Sequence, residues 1–201
     1  MTQGRKRKSA ADRKAEIVST AIRVAADIGP GRVTTQHLAD EVGVTQPAIF
    51  RHFATKSDIW LAVGDHIVEE LNRVHADQGN IAPNNAHDML HRLISNHLGH
   101  ITANPSIPAI LFSHELQADN ADLHEKFTTL LGQRREAIAA LIRDAQASGQ
   151  HRAELVAEDA AHLLIAAMEG LSMRWLLEDR GFDLAEEGGR VLGSLIDGFR
   201  A

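Results

Sequence analysis

Apolar residues recur along this chain with a helical period. Ile17, Ala21, Val24, Ala25 and Ile28 fall at i, i+4, i+7, i+8 and i+11, which places them on one face of an amphipathic helix. The Gly29-Pro30-Gly31 run stops that helix. A second short stretch, capped by Thr34 or Thr35, runs to Val42, where Gly43 can take the left-handed conformation that ends a helix. Thr45 can cap a third, with Pro47 in its first turn, where the missing N–H costs nothing. Residues 56–76 form a fourth, with Ile59, Val63, Ile67 and Leu71 on one side. Residues 77–85 have the composition of a loop. Five further helices are expected over 85–102, 107–118, 122–147, 157–177 and 184–199. Asn104-Pro105, Ser148-Gly149-Gln150 and Asp179-Arg180-Gly181 provide breaks between them. Sustained alternation of β-branched residues is missing throughout, so the pattern predicts an all-α fold of about nine helices.

Residues 34–56 are the most informative stretch. Two short helices joined by a glycine turn, followed by an aromatic-basic-His-aromatic cluster, form the pattern of a helix-turn-helix. Leu38, Ala39, Val42, Val44, Ile49 and Phe53 supply the buried side. Gln36, Thr45, Gln46, Pro47 and Arg51 are left facing outward. Glutamine can bridge adenine N6 and N7, arginine suits guanine or phosphate, and Pro47 and Ala48 can touch a thymine methyl. Lys56 opens the next helix, where its charge and the free backbone N–H groups suit a phosphate.

Charge supports this division. The net charge of -6 looks wrong for a nucleic-acid binder until the chain is split. Residues 1–60 hold 10 Lys+Arg against 6 Asp+Glu, a balance of +4. Residues 61–201 hold 11 against 21, a balance of -10. A basic head on an acidic body presents one end to phosphates. Cysteine is absent, which excludes disulfides, cysteine zinc fingers and thiol catalysis. No apolar run approaches the ~18 residues of a membrane span, and Arg5-Lys6-Arg7-Lys8 lacks the apolar region of a secretory signal behind it. A cytoplasmic location is the simplest expectation. A Gly-rich phosphate loop, a nucleophile elbow and a Ser-His-Asp cluster are all missing, so the chain is not expected to be an enzyme or to carry a cofactor.

Residues 12–60 resemble the DNA-binding domain of the TetR family of bacterial transcriptional regulators. The likeness rests on the first amphipathic helix, on TTQHLADEVGV, and on TQPAIFRHFATKSDIW, which is similar to the family's aromatic-x-His-Phe-x-x-Lys signature. It implies roles for individual positions. Thr35 and Gln36 open the helix that touches the DNA backbone and sometimes a base. Thr45, Gln46 and Pro47 lead the recognition helix, Phe50, Arg51 and His52 form its end, and Lys56 clamps a phosphate. One departure stands out. The family usually carries Tyr where this chain has Phe50, and this chain contains no Tyr. The hydroxyl contact to phosphate is then lost or taken over by Arg51 or His52. The resemblance also implies a basic flexible tail over 1–11, a DNA-binding domain over 12–55 and an effector-binding and dimerisation domain over 56–201.

One recognition helix reads few base pairs, and a two-fold dimer places two of them ~34–36 Å apart. The last two helices carry wide apolar stripes, and a four-helix bundle between subunits is expected to use Leu164, Met168, Leu171, Trp175, Leu192, Leu195, Ile196 and Phe199. The middle helices are expected to hold a small-molecule effector against Leu93, Leu98, Phe112, Leu116, Phe127, Leu130, Leu131 and Met168. The fourth helix is the expected lever between the two parts. The whole reads as a ligand-responsive repressor that leaves a palindromic operator when its effector binds.

Two rival readings accompany this one. The chain has 12 histidines. His87 with His91, and His97 with His100, are spaced to share helix faces, and His114 and Glu115 follow in sequence. Such pairs can bind Zn²⁺ or Ni²⁺, which would make a metal-sensing repressor. The plainer expectation is solvated surface histidines with no metal, because no nearby carboxylate closes a site. The segment from His114 to Ala118 also lacks the second His of a zinc-protease helix. A helical protein-interaction adaptor is the rival of another class, and it leaves Gln46, Arg51 and Lys56 in one short segment unexplained.

Overall fold

A computed structural model describes residues 9–76 and 85–201. These residues form ten α-helices and one 3-10 turn. The helices are α1 (Ala10–Ile28), α2 (Thr35–Val42), α3 (Gln46–Phe50), α4 (Lys56–Ala76), α5 (Ala86–Ala103), α6 (Ser106–Leu111), α7 (His114–Ala118), α8 (Ala121–Ala147), α9 (Ala157–Leu177) and α10 (Leu184–Asp197), with the turn at Pro30–Arg32. The all-α expectation holds. The basic run Arg5–Lys8 and the loop expected over 77–85, Asn85 apart, lie outside the described residues.

Local chemistry sets the boundaries. Ser9 and Asp12 form a reciprocal capping box that starts α1, so the helix reaches into the tail expected over 1–11. Thr34, rather than Thr35, caps α2 by accepting the His37 N–H at 3.1 Å, and Gly43 closes it at φ 71°, a conformation other residues adopt only at a cost. Thr45 sits at the start of α3 in an extended conformation but makes no side-chain cap. Thr55 and Asp58 exchange backbone-to-side-chain bonds of 2.8 and 3.1 Å at the head of α4, a second capping box. The single helix expected over 107–118 is two. Ser113 turns extended and its hydroxyl accepts the Leu116 N–H at 3.3 Å, which nucleates α7 instead of continuing α6. The final helix stops at Asp197. The Phe199 carbonyl instead accepts the Arg152 N–H at 3.0 Å, and His151 and Arg200 form an antiparallel bridge.

The first three helices enclose Ile17, Ala21, Leu38, Ala39, Ile49 and Phe53, a small head. Helix α4 leaves this head and packs on α1, α5 and α8, burying Ile59, Trp60, Val63, Ile67 and Leu71. Each such fully buried side chain contributes about 1.5–3 kcal/mol. In the body, α5 packs on α8 and α10, and α9 packs on α8 and α10. Two short contacts bridge head and body besides α4: α6 lies on α1, and α7 meets the 3-10 turn. No described helix is long and apolar enough to cross a membrane.

Candidate functional site

The surface of the head was built from α2, the glycine turn and α3. Gln36, Thr45, Pro47, Arg51 and Lys56 are exposed, and Gln46 and His52 are half-buried. The short α3 turns its apolar Ile49 inward, which leaves the opposite side of the same turn to solvent. Phe50 is 43% exposed on that side, an unusual position for an aromatic ring unless another surface covers it. Thr35 differs from expectation. It is buried, and its hydroxyl accepts a 2.7 Å bond from the Gln46 side chain. It therefore orients the first residue of α3 and, at 8% exposure, keeps little surface with which to touch DNA. Gln36 is similarly engaged, donating to Asp40 at 2.7 Å. The capping box at Thr55 fixes the start of α4 and so the root of Lys56.

A narrow cavity lies in the body between α4, α5, α6, α8 and α9. Of the eight expected lining residues, Phe112, Leu131 and Met168 are there. The other five face elsewhere. Leu98 packs at Gly188 of α10, and Phe127 lies beneath Gly64 of α4. Leu116 borders a separate crevice with Lys56, Trp60 and Glu115, and Leu130 borders an open groove with Leu61 and Val68. Leu93 is buried in the core away from the cavity wall.

Four polar residues line the cavity instead: His97, which its spacing had paired with His100, and Arg134, Glu169 and Ser172, which the apolar pattern did not single out. Arg134 is 5% exposed, and its Nε and Nη2 have no hydrogen-bond partner among the described residues. Burial pulls its pKa down to about 10 against the opposing pull of Glu169. Burial pushes the Glu169 carboxyl up, and Arg134 partly offsets this. His97 is held neutral, well below its ordinary value, by burial and then by Arg134, His75 and His100. A signal for two of these existed. Arg134 continues the buried stripe Leu123, Phe127, Leu130, Ile138, and His97 sits in the stripe Leu90, Leu93, Ile94, Ile101.

A family model described as bacterial regulatory proteins, tetR family, matches residues 17–63. A second, described as YsiA-like protein, C-terminal region, continues over residues 64–198. The chain belongs to the TetR family. It is a ligand-responsive transcriptional regulator. The transcriptional repressor BepR of Brucella suis biovar 1 (strain 1330) is 25% identical over 210 residues, covering 98% of this chain and 96% of the relative. The nucleoid occlusion factor SlmA of Marinomonas sp. (strain MWYL1) is 24% identical over 163 residues, 79% of this chain and 80% of that one. Among solved structures, a transcriptional regulator from Saccharomonospora viridis in complex with choline superimposes with a TM-score of 0.81 at 25% identity, covering 93% of this chain and 96% of that one.

Two expectations about the regulator's body need correction. Its histidines are not simply solvated: His87 and His97 are buried. A carboxylate also joins the first pair through the fold, since Asp197 Oδ1 lies 3.3 Å from His87 Nε2 and 3.4 Å from His91 Nε2. Arg200 Nη2 reaches the same His87 nitrogen at 2.7 Å, and His151 Nε2 lies 3.1 Å from His87 Nδ1. His97 faces the cavity, and His100 approaches Glu70 at 3.7 Å. The expected dimer set also changes. Leu164, Met168, Trp175, Leu192, Ile196 and Phe199 are buried within the single chain, so they have no area left to cover with a partner. Leu171 and Leu195 are half-buried against the same core. The apolar surface left on α9 and α10 is Leu163 at 53%, Leu177 at 80% and Val191 at 42% exposed, with Ala166 and Gly170 exposed between the first two.

Proposed function

We propose that the regulator is a homodimeric repressor, working where the chromosome lies in the cytoplasm, which leaves a two-fold operator when a small molecule enters the cavity. The observation that carries this reading is the position of α6. Its residues Ile107, Pro108 and Leu111 line the cavity, and the helix packs directly on α1 of the reading head. A ligand that moves this wall acts on the head without an intermediary. The second bridge is tight. Gly31 lies directly against Glu115 of α7, where an added Cβ would stand 2.4 Å from the carboxylate and push that side chain aside. Coupling through these contacts, beside the long α4, supplies the differential affinity that allosteric release requires. In this reading the head spans residues 12–55 and the body 56–201. Gln46 with Thr45 and Pro47 faces bases, Gln36, Phe50, Arg51, His52 and Lys56 face the backbone, and Thr35 holds Gln46. The dimer face is the stripe Leu163, Ala166, Gly170 and Leu177 with Val191. The complex of the Saccharomonospora relative with choline supports a body of this fold as a small-molecule site.

The test is a mobility-shift titration on an operator selected from random duplex. Addition of effector is expected to lower operator affinity, and the footprint should show two half-sites one helical turn apart. A charge at the proposed dimer face, Leu163→Glu, is expected to yield monomers by ultracentrifugation and at least tenfold weaker operator binding. Retained dimers, or operator affinity that rises with effector, would contradict the reading. Metal sensing ranks second, on the convergence of His87, His91 and Asp197. Arg200 stands against it, since its guanidinium already approaches the His87 nitrogen that a metal would need. Release of operator by Zn²⁺ alone, lost in His91→Ala, would reverse this order.

A further inference from the structure

Arg134 is a costly residue to leave as it stands. A buried donor without a partner costs about 1–3 kcal/mol, and more when charged. Its two unpartnered nitrogens, Nε and Nη2, are not arbitrary. They lie on one edge of the guanidinium plane, the fork that takes both oxygens of a carboxylate at once. The nearest compensating charge, Glu169, acts on Arg134 through space, without a hydrogen bond to those two atoms. The remainder of the polar corner offers one further free nitrogen beside a hydroxyl that is already engaged. His97 Nδ1 is buried and unpartnered, and the Ser172 hydroxyl donates to the Met168 carbonyl at 2.9 Å. Opposite the polar corner the walls are apolar: Ile101, Ile107, Leu111 and Ile165. As it stands the cavity has about 20 Å³ free, room for about one water molecule, so a larger guest enters only by parting its walls.

The geometry points to a monocarboxylate with an apolar body as the effector class, its carboxylate forked on the Nε–Nη2 edge of Arg134 and its chain lying toward α6. This rests on the cavity being the effector site of the proposed repressor. It adds a carboxylate head group and names Arg134 as the residue that reads it. The position of the chain matters too. A guest anchored at α8 and extending to Ile107 and Leu111 presses on the helix that touches α1.

The test uses the full-length protein and three probes of one length: octanoate, octanol and octylamine. By calorimetry, octanoate is expected to bind at least tenfold more tightly than octanol, and octylamine no more tightly than octanol. Arg134→Met should erase the preference for octanoate. Arg134→Lys, which keeps the charge and loses the fork, should restore only part of it. Glu169→Gln removes the competing negative charge and should tighten octanoate several-fold, in a protein whose Arg134 is intact. Equal binding of octanoate and octanol, preference for octylamine, binding of none of the three, or a preference that survives Arg134→Met would each overturn the assignment. Operator binding is read separately by mobility shift. Octanoate that binds through Arg134 but leaves operator affinity unchanged sinks the release reading and keeps the head-group assignment. Operator binding that stays intact in a protein blind to octanoate does the reverse.

Discussion

Phe50 shows how much one atom decides at a reading surface. Its ring is 43% exposed at the end of α3, beside Arg51 and His52, and it lacks the hydroxyl that the family usually offers to phosphate. Phe50→Tyr is therefore expected to tighten operator binding by about 3- to 10-fold, the worth of one added hydrogen bond. The salt dependence should stay unchanged, because no charge is added. Lys56→Ala should instead weaken binding to all sequences and reduce the salt slope by about 1. Filter binding across salt concentrations checks both, and a change of slope in Phe50→Tyr would reject the simple hydroxyl account. Most of these outward positions were legible because helix period and a glycine turn fix which side chains face out. Thr35 was not. Its neighbour Thr34 is chemically identical, and only the approach of Gln46 across the turn shows that Thr35 is a support and not a contact.

Two short helices, α6 and α7, touch the head from the body. Helix α7 has five residues, too few to persist without its cap and its packing. Ser113→Ala removes the acceptor for the Leu116 N–H, a loss of about 0.5–2 kcal/mol. At roughly 2–4 °C per kcal/mol for a chain of this size, the melting midpoint should fall by a few degrees. Effector response should be blunted more than effector-free operator affinity, since α7 meets the turn at Gly31. A normal response in a destabilised protein would show that the path runs through α6 or α4 alone. Pattern reading joined α6 and α7 into one helix because Phe112 and Leu116 keep the apolar period across the break. The break comes from Ser113, whose hydroxyl competes for backbone N–H groups, and a serine within a periodic run carries no unique signal.

The whole molecule adds charge and titration. Residues 1–60 carry +4 and residues 61–201 carry -10, an asymmetry that favours approach to DNA by the N-terminal end over any other face. Acid stability depends on the buried histidines. Burial, then Arg134 and His100, lower His75 of α4 to about 3, and His97 of α5 is lowered well below its ordinary value. Below about 6.5 the unfolded chain takes up protons at these sites, whereas the folded chain does not. The unfolded state then binds more protons, so stability falls as pH falls. The urea midpoint should be level above about pH 6.5 and decline from there toward pH 5, before most carboxylates titrate. Arg134→Met should soften that decline by removing the cation that both histidines face. A flat midpoint across this interval would show that neither histidine is held neutral.

The sequence alone determined most of the helices and stops and the helix-turn-helix, because capping, turn glycines and the 3.6-residue period act between residues a few positions apart. Tertiary structure decided where the polar exceptions on those helices meet. Arg134 falls on the apolar stripe of α8 and Arg135 does not, but nothing in the string says that His97 and Glu169, far away in the chain, meet it. Only the packing of α5, α8 and α9 turns one arginine toward a histidine and a glutamate and leaves the other in water. Packing also settled which apolar residues of α9 and α10 are already covered. A helical stripe records that a face avoids water, and the neighbouring helices decide whether the same chain or a second copy covers it.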